Sequence, residues 1–161
     1  MSETTITEEQ VAVKVSGIRT PGLLAWLHMM RVYNKMQHHS MEHLEGYDLT
    51  PAQFEVISRL SVNPGITQQR LAQSLLVTKG NVCGLIDRLE EHRLVERRCD
   101  PEDRRSNLLF LTEVGERLAS RVIPAQETFV QEHLACLSEE EQRDLLRLLR
   151  HLDSGLKHHE H

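Results

Sequence analysis

The chain is 161 residues long, 39 % apolar but only 4 % aromatic, with a formal net charge of −5, so one domain with a core of Leu, Val, Ile and Met, or one compact domain with appended helices, fits its length. The acidic total argues against indiscriminate nucleic-acid binding, and three scattered cysteines (Cys83, Cys99, Cys136) exclude a disulfide framework. The first twenty residues lack the apolar core of a signal peptide and no apolar run reaches the ~18 residues of a membrane span, so a soluble, cytoplasmic protein with no membrane partner is expected.

Residues 1–20 are polar and read as an arm. Pro21-Gly22 opens a long helical pattern, with Leu23, Trp26, Leu27, Met30, Tyr33, Met36, Met41 and Leu44 at three- and four-residue steps and Gly46 as its expected end. Thr50-Pro51-Ala52-Gln53 is a capping box with proline in the first turn, opening a helix whose inward face is Phe54, Ile57 and Leu60. Asn63-Pro64-Gly65 stops it. Thr67 caps a short helix with Leu71, Ala72 and Leu75 inward. Thr78 caps the next, which runs to about Glu91 with Val82, Leu85, Ile86 and Leu89 inward.

The period then changes. Residues 94–98 and 107–111 read as two short strands, with a polar turn at Asp100-Pro101 between them. Thr112 caps a helix through Val114, Leu118 and Val122, in which Pro124 is expected to introduce a kink. Ser138-Glu139-Glu140-Glu141 opens a last helix with Leu145, Leu148, Leu149, Leu152 and Leu156 on one side; residues 157–161 form a histidine-rich tail. The order is mainly α with a small β-hairpin wing. It describes a winged helix-turn-helix over residues 49–112, with long helices at 21–46 and 113–156.

The charge is distributed to match. Residues 67–112 hold eight Lys/Arg and seven Asp/Glu, a local net of +1, and the remainder of the chain carries −6. A major groove accepts one helix whose N-terminal part is exposed. Packing of the apolar face leaves Thr78, Lys79, Gly80, Asn81 and Arg88 outward. Asn81 suits paired hydrogen bonds to adenine, and Lys79 reaches guanine or phosphate. Helix-start amides with Thr78, Gln68 and Gln69 suit phosphate oxygens. Gly80 allows close approach. At the hairpin tip, Arg104 and Arg105 are long enough to enter a minor groove.

Leu49-Thr50-Pro51-Ala52-Gln53-Phe54, Leu71-Ala72, Ile86-Asp87-Arg88-Leu89-Glu90, Leu94-Val95-Glu96-Arg97, Asp100-Pro101-Glu102-Asp103-Arg104-Arg105 and Leu111-Thr112-Glu113-Val114-Gly115, in this order and spacing, resemble the MarR family of transcription regulators. The resemblance is close over about residues 49–118 and extends by helix layout over about 21–156. It implies a homodimer built from the first and last helices, reading a palindromic operator in double-stranded DNA. It also implies a repressor released by a small-molecule or redox input. By the same resemblance Arg104 or Arg105 contacts the minor groove, Arg104 being favoured, and Asp103 braces the loop. Three positions depart from the family pattern: Cys83 stands where serine or threonine is usual, Gly84 where a basic residue is frequent, and Arg93 where glycine commonly ends the recognition helix.

Other readings of the same residues stand beside these. Trp26, Met30, Tyr33 and Tyr47 suit an aromatic effector pocket, and equally a core or dimer interface at helical spacing. His39 and His43, one turn apart with His38 and Glu42 nearby, have metal-compatible spacing, yet helix histidines are mostly solvated; no metal or cofactor is assigned. Cys83 is either a thiol switch in the reading helix or a small half-buried residue. A winged helix used for protein–protein contact would show apolar residues where Lys79, Gly80 and Asn81 stand. No nucleophile–base constellation or phosphate-cradling glycine loop suggests an enzyme.

Overall fold

The computed structural model describes residues 20–75, 79–103 and 106–156, together with the backbone of the helix that begins at Lys79. Among these residues six helices and three short strands follow in the order α1 (Pro21–Glu45), α2 (Pro51–Val62), β1 (Ile66–Thr67), α3 (Gln68–Ser74), α4 (Lys79–Glu91), β2 (Val95–Cys99), β3 (Asn107–Leu111), α5 (Glu113–Leu134) and α6 (Glu139–Leu156). The chain falls into two compact units, Met1–Glu42 and His43–His161. No helix among the described residues is long and apolar enough to cross a membrane.

In the first unit, α1 leaves Leu23, Trp26, Met29, Met30, Val32, Tyr33 and Met41 exposed. The second unit holds the core. Val56, Ile57 and Leu60 of α2 meet Leu71 and Ala72 of α3, Val82, Ile86 and Leu89 of α4, Leu109 of β3, and Ala119 and Val122 of α5. α2, α4 and α5 contribute residues at three- and four-residue steps, as one buried stripe requires, and the short α3 adds the adjacent Leu71 and Ala72. Val56, not Phe54, takes a fully buried place on α2; Phe54 and Leu85 pack half-buried at the edge of the cluster.

Helix starts follow the sequence closely. The Thr50 hydroxyl accepts from Gln53 N–H while Gln53 Oε1 accepts from Thr50 N–H (2.9 Å), a complete capping box. Thr67 and Thr112 cap α3 and α5 through the N–H groups of Arg70 and Gly115. At α6, Ser138 N–H donates to Glu141 Oε2 (2.8 Å), and these bonds hold the Glu141 carboxyl below its usual range. α5 runs on through Pro124 to Leu134.

Helix ends fall where the sequence places them, but two close on left-handed residues that are not glycine. α1 does not end on a left-handed Gly46. Instead Asp48 takes φ +56°, with Leu49 N–H bonded to Leu44 O and Asp48 N–H to Glu45 O, because a short polar side chain tolerates that conformation. α4 closes the same way with a bulkier residue: Arg93 sits at φ +57°, Leu94 N–H donates to Leu89 O (2.8 Å) and Arg93 N–H to Glu90 O (2.8 Å). The helix therefore ends where a glycine would end it.

The expected hairpin is one strand short. β3 is central in a sheet of order β1-β3-β2, with Ile66 opposite Leu109 on one side and Val95 opposite Leu111 on the other. Two residues of β1 carry no readable period. Gly65, at φ +80°, starts that strand, and a Cβ there would come within 3.1 Å of the Phe110 ring.

α5 is seated on the α4–β2 turn. Thr112 N–H donates to Leu94 O (3.1 Å) and Thr112 Oγ1 to Arg93 O (2.5 Å). Gly115 makes this seat close, since a Cβ there would lie 2.0 Å from Leu94 O. Gly115→Ala is expected to lower stability by about 2–3 kcal/mol through the backbone shift it forces, measured by urea unfolding; a loss below about 0.5 kcal/mol, the ordinary range of harmless surface changes, contradicts the close seat.

Candidate nucleic-acid interface

α3 and α4 form the helix-turn-helix. Their mutual face is Leu71 and Ala72 against Val82, Ile86 and Leu89, all buried, so the opposite face of α4 is fixed outward. Asn81, Gly84 and Arg88 are exposed there at i, i+3 and i+7, with Gly80 exposed beside them. A Cβ at Gly80 or Gly84 would meet nothing within 4 Å, so neither glycine serves the packing of the chain itself. In an exposed helix each costs about 1 kcal/mol relative to alanine. Among the expected contacts, Thr78, Arg104, Arg105 and the side chain of Lys79 lie outside the described residues.

The start of α3 divides its two glutamines. Gln69 is exposed. Gln68 is half-buried and its Nε2 donates to Cys83 Sγ across the helix pair (2.7 Å), so one donor of that amide is spent within the fold. Cys83 is half-buried, while Cys99 and Cys136 are exposed.

The wing is tied to the recognition helix by a residue that sequence reasoning had placed only on the first strand and in the Leu94-Val95-Glu96-Arg97 run. Arg97, on β2, reaches Asp87 Oδ1 (2.6 Å) and Glu90 Oε2 on α4, and its own N–H donates to Glu90 Oε1 (2.9 Å). Its side chain is 22 % exposed, which strengthens a charge-assisted bond beyond its value in water. Asp87, next to Arg88 in the chain, was readable as an acid in a locally basic region, but the pairing needs the turn at Arg93 to bring β2 back along α4. Arg98 pairs with Glu96, and its guanidinium lies 4.3 Å from the centroid of the Phe110 ring. In the wing turn, Asp100 Oδ1 accepts from Glu102 N–H (2.9 Å), and Ser106 N–H donates to the backbone oxygen of Asp103 (2.8 Å). Asp100 therefore braces this turn with its side chain, close to Asp103, to which the resemblance gives such a role.

The residues that sequence reasoning offered for an effector pocket do not share one element. Trp26, Met30 and Tyr33 are exposed on α1, whereas Tyr47 is half-buried against the core of the second unit, its ring 5.8 Å from that of His43. His43 stacks on Phe129 (4.9 Å between centroids) and His38 faces Glu42 (3.5 Å). Among the described residues no group of three His, Cys, Asp or Glu side chains is placed to hold a metal ion.

Arg97→Met is expected to lower stability by about 1–2 kcal/mol, with a difference that shrinks at high salt; an unchanged urea midpoint would mean the clamp carries no weight.

The comparisons agree with this geometry. Residues 47–106 match the model of the MarR family. An uncharacterised HTH-type transcriptional regulator of Bacillus cereus is 34 % identical over 131 residues, covering 81 % of this chain and 87 % of that protein. Among solved structures, AbsC, a MarR family transcriptional regulator from Streptomyces coelicolor, superposes with a TM-score of 0.79 at 26 % identity, over 86 % of this chain and 97 % of that one. MepR of S. aureus, in a complex with DNA, superposes with a TM-score of 0.75 at 27 % identity, over 83 % and 97 %. The chain belongs to the MarR family of transcriptional regulators.

Proposed function

We propose that this protein is a dimeric, sequence-specific reader of double-stranded DNA that represses transcription at a palindromic operator and is released by a small aromatic effector. The observation that carries the reading is the outward face of α4, with Asn81 and Arg88 exposed on a helix whose other side is pinned by Val82, Ile86 and Leu89. The MepR complex supports it, since a protein of the same fold is seen there with DNA. In this reading α4 enters the major groove, Asn81 bonds an adenine edge, and Lys79 and Arg88 contact guanine or phosphate. Gly80 and Gly84 let the duplex approach closely. Thr78, Gln69 and the amides at the helix starts hold phosphate oxygens, with Gln68 contributing if its amide leaves Cys83. Arg104 lies in the minor groove beside Arg105, and Asp103 helps to shape the loop.

The second copy follows from unburied leucine. No residue of α6 is buried, and Leu145, Leu148, Leu149, Leu152 and Leu156 are each at least 40 % exposed along one side. With the apolar residues of α1, this is more than a soluble monomer ordinarily leaves uncovered, and the resemblance assigns these helices to the dimer. Trp26, Met30, Tyr33 and Tyr47 are the proposed effector contacts, and a change in the spacing of the two recognition helices is the proposed route of release. Such a protein works in the cytoplasm, where its operator is.

Two substitutions separate the roles. Asn81→Ala should relax base preference at one position of each half-site, costing about 1–3 kcal/mol at the preferred base; an unaltered preference profile would assign reading to another side chain. Arg104→Ala should weaken binding mainly to operators with narrow, A·T-rich flanks, and equal affinity for all flanks would remove the wing contact.

A further inference from the structure

The root of the wing carries a groove that the DNA-reading role does not use. It has a volume of about 470 Å³ and lies where the end of α2, β3 and the first half of α5 meet, with Leu60, Pro64, Phe110 and Ile123 among its apolar lining. That size and character are those of a small-molecule site. Its polar lining residues are Ser61, Glu116 and Ser120.

Every one of these polar groups is an acceptor. Ser61 spends its hydroxyl proton on Ser58 O (2.9 Å) and Ser120 spends its own on Arg117 O (2.9 Å). Pro124 has no N–H, so the Ser120 carbonyl one turn back lacks its helical donor. Glu116, one turn before Ser120, is exposed and is the one charged residue of the lining. The nearby guanidinium of Arg98, stacked on Phe110, already has Glu96 as its counter-ion. An apolar slot edged by acceptors and one carboxylate selects a ligand that is flat, cationic and rich in N–H donors.

The geometry points to a binding site for an aromatic cation of the amidine or arylamine class, its ring between Phe110 and Ile123 and its N–H groups toward Glu116 and the Ser120 carbonyl. The site is distinct from Trp26, Met30, Tyr33 and Tyr47. Because its walls include β3, occupancy bears on the wing; that consequence rests on the DNA-binding reading above, whereas the binding itself does not.

The test is calorimetric titration of the full-length, DNA-free protein with 2-naphthamidine and, separately, with 2-naphthoate, alongside operator binding without ligand. The amidine is expected to bind and the carboxylate to bind at least about tenfold more weakly. Glu116→Gln should cost the amidine about threefold to tenfold. Pro124→Ala, which returns an N–H to the Ser120 carbonyl and favours the helix, should also weaken it about threefold or more. Equal binding of both probes, no amidine binding, or unchanged affinity in both variants overturns the proposal. Amidine binding in a protein that fails to select an operator would leave this site standing and remove the DNA reading instead.

Discussion

The recognition helix, the wing and the long helix that follows them all meet at the backbone of Arg93 and Leu94. The N–H groups of these two residues close α4, and their carbonyls receive Thr112, while Gly115 lets α5 lie against Leu94 O. Leu94 and Val95 are buried beneath these bonds, so the apolar core backs the junction from one side. An arginine in the left-handed region costs about 1 kcal/mol or more, and the bonds on both sides of it over-determine the conformation. Move this turn and the angle between helix and wing moves with it.

Charge reinforces what the junction sets. Of the eight basic residues in 67–112, Arg97 and Arg98 are engaged by acids inside the winged module, so they stiffen it before they could serve any partner. What remains for a phosphate backbone is a small set of cations on a chain of net charge −5. Such a molecule depends on fit more than on bulk attraction. Apolar side chains are left exposed on α1 (Leu23, Trp26, Met30, Tyr33) and on α6 (Leu145, Leu148, Leu152, Leu156).

Much of this was legible in the sequence, and the reason differs by element. The caps at Thr50, Thr67 and Thr112 are local, since each needs only a hydroxyl and an N–H three residues on, and they are where the residues said they would be. The stripe of α4 was equally plain. The two-residue β1 was not, because its pairing with β3 is a long-range fact with no periodic trace. Left-handed Asp48 and Arg93 were hidden for a similar reason: a neighbouring Gly46 looked the better helix end, and Arg93 looked like a departure when its backbone does what glycine would do. Arg97 reads as one more surface charge until the turn brings Asp87 and Glu90 beside it.

The most direct measurement is selection of bound duplexes from a random library by the purified protein at near-physiological salt. Enrichment of a palindrome with half-sites about one helical turn apart is the result expected of two linked recognition helices read through Asn81 and the wing. Recovery of no sequence, with binding that disappears on a modest rise in salt, would contradict it and leave only nonspecific charge contact.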